Sequence, residues 1–204
     1  FEFNVDKAKQ LLDKAGWKPG SDGIREKDGM RLKVVYQTSI NAPRQKNQEI
    51  VKQACQKAGI EVEIKAVPAS VFFSSDVGNP DTYTKFYADM QMYTTTMTQP
   101  DPGDFMRQFL TSEIASKENK WQGRNIVRYR NPDYDKLYEQ SSGEPDPVKR
   151  AALFIQMNNI IIKDITIIPD QYRPSVAAIS NKLHALPSAW DSYIWNFYDW
   201  YADA

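Results

Sequence analysis

The chain has 204 residues, enough for one sizeable core or for a domain with an appendage. Its 26 basic and 26 acidic residues cancel and no basic stripe is visible, which argues against a nucleic-acid or anionic-membrane partner. A hydrophobic fraction of 41% fits a folded domain, no apolar run reaches the ~18 residues of a membrane span, and the single cysteine, Cys55, excludes an internal disulfide and reads as a small core residue.

The sequence opens at Phe1 without an initiator methionine or signal segment, and is read as a processed or excised piece of something longer. Asn4 is a good helix N-cap and Asp6 suits the first turn. Val5, Ala8, Leu11, Leu12 and Ala15 fall on one face, and Gly16 ends the helix with Pro19 beyond. Two Asp-Gly pairs, Asp22-Gly23 and Asp28-Gly29, flank Ile24–Lys27 and predict a small hairpin leading into a strand.

A strand is expected from Arg31 to Thr38, where Leu32, Val34 and Tyr36 alternate. After Pro43 a helix carries Ile50, Val51, Ala54, Cys55 and Ala58 on its apolar face and stops at Gly59. Ile60, Val62 and Ile64 alternate with Glu61, Glu63 and Lys65, so Ile60–Val67 reads as a strand with one buried and one wet face. Strand, helix and strand in this order call for a right-handed parallel crossover.

Residues 68 to 86 lack a clear period, and Gly78-Asn79-Pro80-Asp81 marks a surface turn. The apolar stretch from Tyr87 to Tyr93 predicts a central strand, followed by a polar loop and by Asp101 and Pro102 as N-cap and N1 of a helix burying Phe105, Met106, Phe109 and Leu110. Asn131-Pro132 and Asp146-Pro147 repeat that helix-start signature. The first leads a helix that buries Tyr134, Leu137 and Tyr138, the second a longer one with Val148, Ala151, Ala152, Ile155, Ile162 and Ile165 inward. Ile167-Ile168-Pro169 and Ser175–Ile179 read as edge or terminal strands. From Leu183 onward the chain becomes an aromatic tail with Trp190, Tyr193, Trp195, Phe197, Tyr198, Trp200 and Tyr201, too sticky to stay exposed. No internal repeat or low-complexity segment is visible, and the elements sum to one α/β domain with a mixed sheet.

A strand that opens into a loop at its carboxyl end ahead of a helix start is where α/β proteins place ligands, because free backbone groups and helix N-termini face one crevice. Tyr93, Thr94, Thr95, Thr96, Met97, Thr98 and Asp101 are therefore the ligand-binding candidates, with ordinary strand-end threonines as the plainer reading of the hydroxyls. Catalytic chemistry is poorly supplied. His184 is the only histidine and reads as a surface or interface residue, and no nucleophile elbow, paired-cysteine metal spacing, phosphate-cradling loop or dinucleotide fingerprint occurs. Asp101 and Asp104, with Tyr93, could be imagined as an acid–base set, but carboxylates at a helix start are explained by capping and the helix dipole. The tryptophans could stack on sugars, although packing is the ordinary role of such a cluster at a chain end. No enzyme activity, metal or cofactor is expected.

Six stretches, FNVDKAKQLLDKAGW, QKAGIEVEIKAV, ADMQMYTTTMTQPDP, GRNIVRYRNPDYDKLYEQ, DPVKRAALFIQMNNIIIKDITIIP and WDSYIWNFYDWY, cover nearly the whole chain in order. Together they make it resemble the C-terminal lobe of extracellular solute-binding protein family 5, the oligopeptide- and dipeptide-binding receptors of ABC importers. The resemblance implies one lobe of a type II periplasmic-binding-protein-like fold, a mixed sheet flanked by helices, within a receptor that closes on its cargo and passes it to a membrane permease. Residues 1–182 would form the ligand-binding lobe, and 183–204 would return to the first lobe. It also implies a periplasmic or extracellular lipoprotein, tethered to the membrane in the parent protein. The family's ligand-contacting segment matches Thr95 to Asp101, and Thr98 stands where peptide-binding members carry an aspartate for the ligand's amino terminus. Peptide is the leading ligand, with oligosaccharides or opine-like conjugates next.

Overall fold

The computed structural model describes residues 2–97, 99–172, 174, 176–186 and 196–203. The chain divides into two compact units, the first made of Phe1–Thr94 with Ser116–Gln122 and the second of Thr95–Ala115 with Gly123–Ala204.

The first unit opens with α1 (Val5–Lys14), whose start is held by the Asn4 side chain accepting from the Lys7 amide. Its end is a Schellman turn: Gly16, at φ +88°, donates to Asp13 O and Trp17 donates to Leu12 O. Val5, Ala8 and Leu12 are half-buried, whereas Leu11 and Ala15 lie exposed, so the inward stripe is narrower than the sequence pattern suggests. Next come β1 (Lys18–Pro19), β2 (Arg25–Lys27) and β3 (Met30–Arg31), a small antiparallel sheet. Between β2 and β3 only Asp28 and Gly29 intervene, both at positive φ, which is the turn expected of an Asp-Gly pair.

The main sheet follows. Strand β4 (Lys33–Ser39) leads through α2 (Ala42–Ala58) to β5 (Glu61–Val67), after α3 (Ala69–Phe72) comes β6 (Met90–Met92), and the strand order is β5-β4-β6 with both pairings parallel. Parallel and antiparallel pairings thus occur in separate sheets of the chain. In β5 the alternation seen in the sequence survives only at the start, where Val62 is buried and Glu63 exposed; Ile64, Lys65 and Ala66 are all half-buried, and Val67, on the same side as Glu63, is buried. On α2 the buried stripe differs from expectation. Ile50 points outward, while Gln48 is fully buried and donates to Tyr36 O at 2.7 Å. The amide nitrogen thereby has a main-chain acceptor, while the buried Oε1 has no hydrogen-bond partner among the described residues. Strand β6 is only three residues long, and Tyr87, placed in the strand by the sequence pattern, is largely exposed. Its start is fixed to β4 by Asp89, whose carboxylate accepts from Val35 N at 2.8 Å.

Gly59 closes α2 at φ +87° and a Cβ there would lie 2.8 Å from Arg25 Cγ and 3.0 Å from Gly23 O. Gly59→Ala is therefore expected to lower the unfolding free energy by at least ~1–2 kcal/mol, the cost of a left-handed conformation alone, with a visible drop in thermal midpoint.

The second unit contains α4 (Gly103–Met106), α5 (Pro132–Gly143) and α6 (Pro147–Lys163), with β7 (Leu183–His184) paired antiparallel to β8 (Tyr201–Ala202). Asn131 and Asp146 cap α5 and α6 as their sequence signatures predict. Only one α turn forms at 103–106, continued by a 3-10 turn at Arg107–Phe109, yet Met106 and Phe109 are buried as expected. They pack with Tyr134, Phe154, Met157 and Ile161 into the core of this unit. Asn125, fully buried, organises the loop before α5 by donating to Leu110 O and Tyr129 O, both at 2.9 Å.

Two expectations fail here. The face of α6 carrying Val148, Ala151, Ala152 and Ile155 is exposed, and Phe154, Met157 and Ile161 point inward instead. Apolar residues occupy both sides of this helix, so periodicity leaves the choice open, and the inward side is the one that packs with Met106, Phe109 and Tyr134. Residues 167–172, 174 and 176–179 form no strand among the described residues, and Ile168, Tyr172 and Val176 are exposed. Strand propensity there meets no ladder partner, and Pro169 has no amide to offer one. Ser175, the start of the second expected strand, lies outside the described residues.

Candidate functional site

Strand order β5-β4-β6 means that the chain leaves β4 toward β5 on one side while β6 lies on the other. The carboxyl ends of β4 and β6 therefore flank a topological switch point, the place where open α/β sheets hold ligands. Ser39 ends β4, Asn41 caps α2 by accepting from the Arg44 amide, and Thr94 follows β6 two residues on. Arg44, in the first turn of α2, joins these pieces: its Nη1 donates to Ser39 Oγ at 2.5 Å and its Nη2 to Thr94 Oγ1 at 3.1 Å. The sheet is closed just below by Thr38 Oγ1 donating to Met92 O at 2.6 Å.

The candidate stretch passes from the first unit to the second after Thr94. Tyr93 is half-buried. It packs 5.6 Å from Tyr83 in an aromatic group with Phe72 and Phe73, and burial pushes its phenol up to about 12, so it stays protonated. Thr94 presents an exposed hydroxyl already engaged by Arg44. In the second unit Thr95 and Thr96 are exposed, Met97 is half-buried, and Thr96 Oγ1 donates to Met97 O at 3.2 Å. Thr98 lies outside the described residues.

Asp101 is tied into its own unit. Its Oδ1 accepts from Gly103 N at 2.8 Å and from Arg150 Nη2 at 3.2 Å, and Oδ2 pairs with Arg150 Nη1. Arg150 in turn donates to Ser141 O and stacks over Phe154 at 4.8 Å. A Cβ on Gly103 would come within 2.8 Å of Asp101 Oδ1, so glycine is what permits this approach. The Arg150 hydrogen bond holds the Asp101 carboxyl below the usual carboxylate range, and Arg124, bound to both oxygens of Asp104, does the same there. Both acids are thus fixed as anions, unlike a general acid, whose pKa must be raised.

Ser39 and Arg44 are absent from the sequence candidates. The rule that singled out the loop after β6 applies equally to the one after β4, where TSINAPR runs from strand into helix. His184 sits on the surface, stacked 4.4 Å over Tyr201 and bonded to Asp203 at 2.8 Å. Among the described residues no group of three or more His, Cys, Asp or Glu side chains could hold a metal, and no helix is long and apolar enough to cross a membrane.

Residues 1–117 match the family of bacterial extracellular solute-binding proteins, family 5 Middle. Among relatives, the oligopeptide-binding protein AppA of Bacillus subtilis is 31% identical over 166 residues, covering 80% of this chain and 28% of the relative. The crystal structure of the oligopeptide-binding protein of Thermus thermophilus complexed with a pentapeptide superposes with a TM-score of 0.70 at 27% identity, over 81% of this chain and 29% of that one. The structure of B. subtilis AppA in complex with a nonapeptide gives 0.74 at 24% identity, over all of this chain and 38% of that one. The chain thus spans well under half the length of each of these relatives. It belongs to the bacterial extracellular solute-binding proteins, family 5.

Proposed function

We propose that this member of family 5 is one lobe of the substrate-binding component of an ABC importer. It captures a small polar solute, with oligopeptide the leading ligand, between this lobe and another. The observation that carries the reading is the switch point of the parallel sheet, where Ser39, Arg44 and Thr94 meet at the N-terminus of α2. The likeness to the T. thermophilus protein, described with a pentapeptide, supports peptide as the cargo class. In this reading Tyr93 supports Thr94 within the first unit, and Thr95, Thr96, Met97, Thr98 and Asp101 of the second unit are kept as candidate ligand contacts. The parent receptor would work in the periplasm or at the cell exterior, tethered to the membrane, and would deliver to a permease. Phe197, Tyr198 and Tyr201, exposed at the chain's end, are surface that a first lobe would cover. Catalysis has no support in the fixed carboxylates of Asp101 and Asp104.

Half a cleft binds weakly. Titrating penta-alanine into the 15N-labelled chain is expected to shift amides of residues 39–42, 44, 93 and 94 with a dissociation constant on the order of 1 mM. Micromolar affinity by calorimetry would contradict the half-site, and shifts confined to other regions would contradict the location. The three threonines Thr94, Thr95 and Thr96 also suit a neutral polyol, so maltotriose under the same conditions is the competing ligand.

A further inference from the structure

We propose that the second unit carries a binding site for an uncharged carboxamide on an apolar stem, built around Asn196, Asp199 and Trp200. The pairing of β7 with β8 brings residues 183–186 beside 196–200, and these stretches line a cavity of about 440 Å3, all of it within the second unit. That volume falls in the range of small-molecule sites. Its strongest feature is Asn196, which lines the cavity at 6% exposure. The side-chain Oδ1 accepts from Trp200 Nε1 at 3.0 Å, which fixes the orientation of the amide, and Nδ2 meets no acceptor among the described residues. A donor so nearly buried calls for an acceptor, and a ligand oxygen in the cavity supplies one. Asp199 closes the 3-10 turn Phe197–Asp199, its amide donating to Asn196 O at 2.9 Å. Residues three apart eclipse in such a turn, so a neutral donor and an anionic acceptor stand one above the other on one wall. The Asp199 carboxylate is exposed and has no hydrogen bond or ion pair among the described residues. Leu183, Leu186 and the Trp200 ring supply the apolar lining. A carboxamide satisfies both polar groups at once, its carbonyl facing Asn196 Nδ2 and its N–H facing Asp199, whereas a carboxylate would set an oxygen against the Asp199 anion. A stacked sugar is served less well, because the Trp200 ring is half-buried and packs on Phe197 at 5.7 Å.

Hexanamide and hexanoate test this as a matched pair, with the same stem and opposite demands on Asp199. Each is titrated at pH 7 into the 15N-labelled chain while the Asn196 side-chain NH2 and Trp200 Nε1–H signals are followed. Hexanamide is expected to shift both, with an initial slope about fivefold steeper than hexanoate, the factor for removing like charges about 4 Å apart in water. Asp199→Asn, at an exposed position, is expected to bring the two slopes together. The comparison on the unaltered chain remains decisive even if the variant fails to fold. Absence of shifts at Asn196 and Trp200 with hexanamide, or shifts confined to other regions, would overturn the site. Equal slopes in the unaltered chain, a preference for hexanoate, or a difference that survives Asp199→Asn would overturn the choice of an uncharged carboxamide.

Discussion

Replacing Tyr134 by alanine is expected to cost about 3–5 kcal/mol of unfolding free energy, the range for deleting a buried aromatic ring. The ring has no solvent exposure and lies between Phe109 and Tyr129, edge to face with each at 6.0 and 6.2 Å. Its hydroxyl donates to Met106 O at 2.7 Å, and burial raises the phenol's pKa. Tyr134→Phe separates the two contributions. It keeps the packing but strips a buried carbonyl of its donor, and is expected to cost about 1–3 kcal/mol. Urea unfolding reads both, and near-equal midpoints for the alanine variant and the parent would mean that this cluster is not the core of its unit.

The second large effect is expected at Arg25 in the other unit. Its side chain is 5% exposed and reaches three acceptors: Nε donates to Ala58 O at 2.9 Å, and Nη1 donates to Trp17 O and to Asp13 Oδ1, both at 2.7 Å. Ala58 is the last residue of α2 and Trp17 follows α1, so one cation satisfies carbonyls at two helix ends, where the dipoles favour it. Arg25→Met fills similar space without donors and is expected to lose about 2–4 kcal/mol, chiefly from the two carbonyls left unmet. Arg25→Lys, with a single ammonium in place of the fork, should fall between. Asp13 supplies an independent readout. The hydrogen bond from Arg25 holds its carboxyl below the ordinary range, so its contribution is present above the unfolded-state value and fades as pH falls through the lowered one. In Arg25→Met the Asp13 carboxyl should titrate higher than in the parent, and an unchanged titration would deny the contact.

Much of this architecture was legible because the signals were local. Asn4, Asn131 and Asp146 cap helices where their side chains and neighbouring sequence said they would. Asp28-Gly29 turns between β2 and β3, and Gly59 stops α2. These residues act on backbone within three or four positions of themselves. The inward face of α6 was not legible, since Val148 and Ile155 compete with Phe154 and Met157 and only the tertiary neighbours choose between them. Nor was the burial of Gln48, whose acceptor Tyr36 O lies on a strand twelve residues earlier. At the switch point the sequence drew attention to the loop after β6 through its threonines, whereas the Arg44 contacts with Ser39 and Thr94 span five and fifty residues and left no local signal. The pairing of Asp101 with Arg150, 49 residues away, is likewise invisible to spacing.

A guanidinium fastened from both sides, as Arg44 is by Ser39 and Thr94, has lost its reach. Standing where β4 ends, α2 starts and β6 has just finished, the same side chain works as a clamp, and loosening it would free three stretches of backbone at once.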